Sequence, residues 1–160
     1  LYLWIFGNNI EDAMGRAKFV LFYLVCGLAA SLVHAFFNLG SEIPPIGASG
    51  AISGVLGAYF LLYPRAQVLV LIPLGLFTRL MYIPAMFVLG FWFLLQLFSG
   101  SVSSGAGGGV AWWAHVGGFI VGMLLVGMFK RRDIRLFNPP HYHERRIRKL
   151  GTGTYLMNDE

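Results

Sequence analysis

The chain has 160 residues, of which 57% are hydrophobic and only 12% are charged. A soluble domain of this size would expose too much apolar surface to water, so the composition indicates an integral membrane protein. The net charge of +5 does not indicate nucleic-acid binding, because eight of the twelve Lys and Arg residues lie between Lys130 and Lys149, directly after the last apolar segment. Such a cluster is typical of a cytoplasmic tail that anchors a helix end and attracts anionic lipid headgroups.

The chain opens on an apolar segment, residues 1–6, which is predicted to be the tail of a helix that begins upstream, because no Met starts it. Residues 7–15 are polar and bounded by glycines, and they are predicted to form a turn. The single cysteine, Cys26, excludes an internal disulfide and favours a packing role.

Four longer apolar segments are predicted to be membrane-spanning helices, since a bilayer core of about 30 Å needs about 20 helical residues. They are span A, residues 17–37; span B, residues 49–63; span C, roughly residues 80–98; and span D, residues 110–129. Pro44 and Pro45 predict a loop over residues 38–48, and a Gly/Ser-rich composition predicts a flexible loop over residues 99–109.

The predicted fold class is therefore all-α, a polytopic transmembrane bundle with four full spans plus the end of a fifth helix. Residues 68–77 are apolar but short and interrupted by Pro and Gly, so they are predicted to be an interfacial or re-entrant segment. The predicted domains are a membrane domain, residues 1–130, and a basic cytoplasmic tail, residues 131–160.

The distribution of basic residues predicts the orientation. If the tail lies inside, alternation of the spans also places residues 7–16 and 64–79 inside. All twelve Lys and Arg then lie at inner ends, and the two outer loops contain none. The positive-inside rule therefore places the C-terminus in the cytoplasm, and we expect the membrane to be the inner membrane of a prokaryote.

Two polar residues lie near the outer ends of spans B and D. Ser49 is placed between glycines in residues 46–54, and His115 lies in residues 111–118. At 1.5 Å per residue span B is about 22 Å long, shorter than the core of about 30 Å. If Arg65 holds its inner end at the surface, Ser49 lies below the outer surface, at a depth similar to that of His115. Polar groups at such depth are costly and usually functional.

These residue types suggest nucleophilic catalysis. Serine needs a base to remove its proton, and neutral histidine is the usual base. Ser49 begins a helix, and the backbone N–H groups there could stabilise an oxyanion. The alternatives are that Ser49 only caps its helix and that His115 is a polar packing residue.

Two pairs of glycines predict that spans B and D approach each other closely in lipid. Gly50 and Gly54 are four residues apart on span B, and Gly118 and Gly122 are four apart on span D. Small residues at this spacing allow helix backbones to touch. The same pattern also occurs where it serves packing alone.

The two motifs together resemble those of the rhomboid family of intramembrane serine proteases. Residues 47–50 match GxSG, and residues 114–122 match AHxxGxxxG. The likeness extends from Leu1 to about Phe129, and residues 3–12 resemble the turn that follows the second span of the family. Spans A to D would then correspond to the third to sixth spans of its six-helix core.

The resemblance implies a serine endopeptidase with a Ser–His dyad, in which Ser49 is the nucleophile and His115 the general base and later acid. It implies that Gly47, Gly50 and Gly118 support the site through oxyanion binding or close packing. The implied substrates are single-pass transmembrane proteins, and no metal, cofactor or nucleic acid is expected. The alternative is a non-catalytic rhomboid-like protein that binds or escorts membrane clients. A transporter or channel is disfavoured, because the spans contain no internal repeats and no charged residues except Lys18 at the inner end of span A.

The chain departs from the family pattern in two respects. Family members carry an HxxxN pair early in their second span that helps bind the oxyanion, and this region would lie upstream of Leu1, so the fragment alone is expected to be inactive or nearly so. An aromatic residue often follows the catalytic serine by four positions and packs on the histidine. Ser53 stands at that position here, which leaves the support of His115 unassigned.

Other candidate residues are assigned no catalytic role. His34 and Asn38 also have HxxxN spacing, but they fall at the end of the family's third span and are predicted to be polar residues at a helix end. Glu42 is disfavoured as a triad acid. His141 and His143 could bind a metal, but a solvated tail is preferred.

The aromatic residues of spans C and D are expected to serve packing and anchoring at the membrane interface. Trp92 and Trp112 are among them. The resemblance implies that span C borders the side where substrate enters.

Overall fold

A computed structural model of the chain describes residues 1–39, 47–74, 77–102 and 110–137, together with two short strands near the C-terminus. A π-helical turn, Leu3–Gly7, continues directly into the first α-helix. The helices are α1 (Asn8–Met14), α2 (Arg16–Phe37), α3 (Ser49–Leu62), α4 (Ala85–Val102) and α5 (Trp112–Phe129). The strands are β1 (Gln67–Leu74), β2 (Phe77–Pro84), β3 (Arg148–Lys149) and β4 (Tyr155–Leu156), paired β1 with β2 and β3 with β4.

Within the described ranges, three helices are long and apolar enough to cross a membrane, namely α2, α4 and α5. The predicted bounds of spans A and D agree with α2 and α5 to within two residues. Helix α3, which corresponds to span B, begins at Ser49 as predicted. It has only 14 residues, which make about 21 Å of helix. The protein is mostly helical, and the count of four full spans plus a fifth helix is not confirmed.

The prediction of a turn over residues 7–15 is wrong. Asn8–Met14 is helical and ends at Gly15, whose φ of 86° is a conformation that glycine favours. Ile10, Ala13 and Met14 are buried. Their spacing places an apolar stripe on one side of a short helix, and its burial against the core stabilises a segment that is otherwise polar.

The protein is mostly helical, as the fold-class prediction required, but it is not all-α, because residues 67–74 and 77–84 pair as an antiparallel hairpin. The register runs from Gln67 opposite Pro84 to Leu74 opposite Phe77. The predicted interfacial segment is therefore strand β1, and the predicted start of span C belongs to β2, so α4 begins only at Ala85. β-Branched residues favour the strand, and both strands are edges, where proline is tolerated.

One face of this hairpin is apolar and exposed. Leu69 pairs with Tyr82 and Leu71 with Leu80, and residues two apart on a strand share a face. These four side chains are between 51% and 70% exposed. A two-stranded hairpin is marginally stable in water on its own. The chain runs directly from β2 into α4, whose first turn exposes further apolar side chains, so we expect the hairpin face to lie against lipid.

A polarity-sensitive fluorophore attached to Tyr82→Cys should therefore emit as in an apolar medium when the full-length protein is in liposomes. The same fluorophore on Arg132→Cys, an exposed position after α5, is the control and should emit as in water. The native Cys26 is buried and should not react. Emission from position 82 that matches the control would show that the hairpin face is in water.

Helix α3 lies at the centre of the bundle and contacts α2, α4 and α5. Most of its residues are buried, including Val55, Leu56 and Leu62. A helix that is apolar on every side is typical of such a central position. The bundle thereby surrounds α3 along its length and leaves only its first residue, Ser49, exposed at one end.

The residues after α5 pack against the opposite end of the bundle. The backbone N–H of Arg131 donates to Ala13 O at 2.8 Å, and that of Phe137 donates to Leu61 O at 2.9 Å. Ile134 is buried between these contacts. The boundary between a membrane domain and a tail at residues 130 and 131 stays a prediction.

Candidate active site

Ser49 is the first residue of α3, and its side chain is exposed. The residue two before it, Gly47, has a φ of 141°, which side chains other than glycine rarely adopt. A Cβ on Gly47 would also lie 3.8 Å from Ser49 Oγ. Glycine at this position therefore keeps the approach to the hydroxyl open. The N-cap position is held by Ala48, so the alternative that Ser49 only caps the helix is not supported.

The start of α3 provides backbone donors next to this hydroxyl that are not used by the helix itself. The first hydrogen bond of the helix runs from the N–H of Ile52 to Ala48 O, at 3.0 Å. The N–H groups before it have no acceptor within the helix, and they carry the positive end of the helix dipole. They are suited to bind negative charge that develops beside Ser49.

Helices α3 and α5 touch backbone to backbone. A Cβ on Gly118 would collide with Gly50 O, and one on Gly122 would collide with Gly54 O. This confirms the prediction that the two glycine pairs allow the helices to approach closely. The contacts advance in the same direction on both helices, so α3 and α5 run parallel and begin at the same end of the bundle.

The same contacts place Ser49 and His115 on facing sides of the interface. Ser49 and Ser53 are one turn apart on α3, and His115 and Gly118 are almost one turn apart on α5. A Cβ on Gly118 would lie 3.3 Å from Ser53 Cβ, so these two helix faces meet. Ser49 and His115 both lie about one turn nearer the helix starts than this contact.

No hydrogen bond joins Ser49 to His115 among the residues that the structure describes. Catalytic hydrogen bonds are often long in enzymes without substrate and shorten when the complex forms. The starts of α3 and α5 therefore lie close together, but the hydrogen bond from Ser49 Oγ to His115 that proton transfer requires is not formed in this structure.

His115 is held by residues of α4. It is 9% exposed, and its Nδ1 lies 2.7 Å from Gln96 Oε1. The ring of Trp92, one turn before Gln96, lies 5.8 Å from the imidazole, and the ring of Trp112 meets it edge-on at 6.5 Å. The predicted roles of these two tryptophans, packing and interface anchoring, did not include contact with His115.

Gln96 was not predicted from the sequence to belong to the site. A signal for it was present, because it is an amide in the otherwise apolar stretch of residues 92–98. A polar residue within a span usually faces the bundle interior and has a partner there. What the sequence does not reveal is the identity of that partner.

Ser53, which occupies the position where the family often has an aromatic residue, does not replace it. Its Oγ donates to Ser49 O within α3, at 2.8 Å. The aromatic contacts to His115 come instead from α4 and from the start of α5. The aromatic packing on the imidazole therefore comes from α4 and α5, and not from the residue on α3 that the family pattern would use.

Of the other candidate residues, the structure describes His34 and Asn38. Asn38 Nδ2 donates to His34 O at the end of α2, at 2.9 Å, as expected for polar residues at a helix end. Glu42, His141 and His143 lie outside the described residues. Within the described part of the chain, no group of three or more His, Cys, Asp and Glu residues could hold a metal ion.

Comparisons with known proteins agree on one family. A family model described as Rhomboid domain matches residues 1–132. Rhomboid protein 1, mitochondrial, of Saccharomyces cerevisiae is 31% identical over 134 residues, which cover 78% of this chain and 34% of that protein. Rhomboid protease GluP of Bacillus subtilis is 43% identical over 58 residues, 36% of this chain and 11% of that protein.

A third relative is Presenilin-associated rhomboid-like protein A, mitochondrial, of Danio rerio, 35% identical over 79 residues, 48% of this chain and 21% of that protein. The chain thus spans about a third or less of the length of these relatives. No solved structure matches it.

Proposed function

The chain belongs to the rhomboid family, and on that premise we propose that it is part of an intramembrane serine endopeptidase that cleaves single-pass transmembrane proteins. Ser49 is the nucleophile and His115 the general base. The observation that supports this best is the backbone contact between α3 and α5, which brings together the helix that begins at the exposed Ser49 and the helix that carries the buried His115 near its start.

The proposed reaction uses the groups at the helix starts in sequence. His115 Nε2 removes the proton of Ser49 Oγ as that oxygen attacks the scissile carbonyl carbon. The N–H groups that open α3 stabilise the resulting oxyanion. The imidazolium then gives its proton to the leaving amine, and the C–N bond breaks to leave an acyl ester on Ser49. Water, deprotonated by the same imidazole, hydrolyses the ester and restores the hydroxyl.

Gly47, Gly50 and Gly118 support this site by remaining small. Gly47 keeps the approach to the hydroxyl open, and Gly118 allows α5 to reach the Gly50 carbonyl. Gly50 is also confined by α2, since a Cβ there would lie 2.6 Å from Ala30 Cβ. The three glycines thus act through spacing, in agreement with the support role implied by the family motifs.

The protein is embedded in a membrane and crosses it more than once. We place the C-terminus and the α1 end in the cytoplasm and the Ser49 end at the outer side. In support, the segment after α5 lies at the same end as the start of α2, whose first residue is Arg16, because the Arg131 N–H donates to Ala13 O just before that helix. Arg65 follows the end of α3 at that end as well. Basic residues gathered on one side mark the cytoplasmic face.

A serine-directed fluorophosphonate tests the proposal. The full-length protein in liposomes should be labelled at Ser49, because only an activated hydroxyl reacts readily. Labelling should disappear in Ser49→Ala and fall strongly in His115→Ala. Ser101→Ala is the matched control: this serine is exposed on α4 and its Oγ donates to Leu97 O, so labelling should be unchanged. A wild-type protein that is unlabelled but retains single-pass clients would favour the escort function.

A further inference from the structure

Gln96 makes two hydrogen bonds that determine the orientation of its side-chain amide. Its Nε2 donates to Trp92 O of the preceding turn, at 3.4 Å. A carbonyl oxygen can only accept, so the amide nitrogen points towards α4 itself. The amide oxygen consequently points across the interface to His115 Nδ1, 2.7 Å away.

This orientation determines which ring nitrogen of His115 carries the proton. An amide oxygen has no hydrogen to donate, so the short contact to Nδ1 requires Nδ1–H to be the donor. In a neutral imidazole the other nitrogen, Nε2, then holds a free lone pair. This is the nitrogen that a base needs in order to accept a proton from serine.

The surroundings hold this pair in place. Gln96 is 6% exposed, whereas its sequence neighbours Leu95 and Leu97 are exposed on the surface of the bundle. A buried amide is costly unless both of its ends are bonded, and here both are. The rings of Trp92 and Trp112 lie against the imidazole and limit its rotation. Ser53, within α3, provides no such contact.

We infer that Gln96 is a positioning residue for the proposed dyad: it accepts the Nδ1–H of His115 and so presents Nε2 as the base. This inference rests on the proposed function, to which it adds a third group supplied by α4. The third group is a neutral amide, which orients the imidazole without placing a further charge within the membrane.

The kinetic test compares two substitutions in the full-length protein, assayed in liposomes with a single-pass substrate. Gln96→Leu removes the acceptor with little change in size and should lower kcat about tenfold to a hundredfold with KM unchanged, because an unoriented base affects the chemical step more than binding. Gln96→Glu keeps an acceptor oxygen and should restore most of kcat. Ser101→Ala on the same helix should behave as wild type. Wild-type kcat in Gln96→Leu would overturn the inference.

A spectroscopic test needs no activity. In protein labelled with 15N-histidine, the ring signals of His115 are those that disappear in His115→Ala. They should show a protonated Nδ1 and an unprotonated Nε2. Gln96→Leu should change the ratio of the two neutral tautomers of this ring. The opposite tautomer in the wild type would overturn the inference even if Gln96→Leu failed to fold. Full cleavage by Ser49→Ala would instead refute the proposed function and leave the tautomer result unaffected, so the two failures are distinguishable.

Discussion

Replacing either Ser49 or His115 with alanine is expected to lower cleavage of a single-pass substrate by a factor of about 10³ or more. The nucleophile and its base act as one unit, so loss of either removes nearly all of the rate that the pair provides. For the same reason, the double variant should be no slower than the slower single variant. The measurement is proteolysis by the full-length protein in liposomes, with the fluorescence of a labelled single-pass substrate as the readout.

The two variants should differ in stability. Ser49 is exposed at the start of α3, so its truncation should change the free energy of unfolding by less than about 0.5 kcal/mol. His115 is buried and in contact with Gln96. Its truncation leaves the amide oxygen of Gln96 without a donor, which should lower the free energy of unfolding by about 1–3 kcal/mol. Ser31→Ala is the control, since this exposed serine lies away from the proposed dyad on α2 and its Oγ donates to Gly27 O of the same helix. Wild-type cleavage by either single variant would disprove the dyad.

The second large effect is expected from Gly122→Ala, which should destabilise the bundle by about 3 kcal/mol. The added methyl group would collide with the Gly54 carbonyl and lie 2.6 Å from its carbon atom. Backbone atoms cannot swing aside as a side chain can, so α3 and α5 must separate. Separation removes the packing that holds helices together in lipid, where no hydrophobic driving force compensates.

Gly127→Ala is the matched control for this substitution. It lies on the same helix, and a Cβ there would have no neighbour within 4 Å among the described residues. Because alanine favours helix over glycine, this variant should be neutral or gain up to about 1 kcal/mol. Denaturant unfolding in detergent micelles gives both values. Equal stability of the two variants would show that the close contact between α3 and α5 does not hold the bundle together.

Activity and stability should respond differently to Ser49→Ala, which removes a reacting group, and to Gly122→Ala, which disturbs helix packing. Ser49→Ala should lose activity while the free energy of unfolding is preserved. Gly122→Ala should lose stability, and its activity should fall with it because the spacing of α3 and α5 sets the spacing of the proposed dyad. A variant that loses activity without losing stability therefore reports on the reacting groups alone.

The sequence alone predicted much of the membrane architecture. Long apolar segments ended by charged residues or prolines gave the bounds of α2 and α5 to within two residues and the first residue of α3. The glycine pairs predicted which two helices meet, and the motifs around Ser49 and His115 indicated the family. All of these are properties of residues close together along the chain, so they can be recognised without knowing how the helices pack.

Other features depended on contacts between distant residues. The hairpin of residues 67–74 and 77–84 was not predicted, because it forms when two apolar stretches pair with each other, which the composition of either stretch does not show. Residues 8–14 became a helix because their apolar stripe meets a core built from other segments.

The composition and motifs by themselves determined that this is a membrane protein of the rhomboid family with a candidate serine and histidine. Only the tertiary structure decided that Gln96 bonds to His115. These residues lie on different helices, and their contact depends on how α4 and α5 are rotated and set against each other. Hydropathy records which residues avoid water, but a hydrogen bond between helices requires a distance and a direction, and only packing provides those.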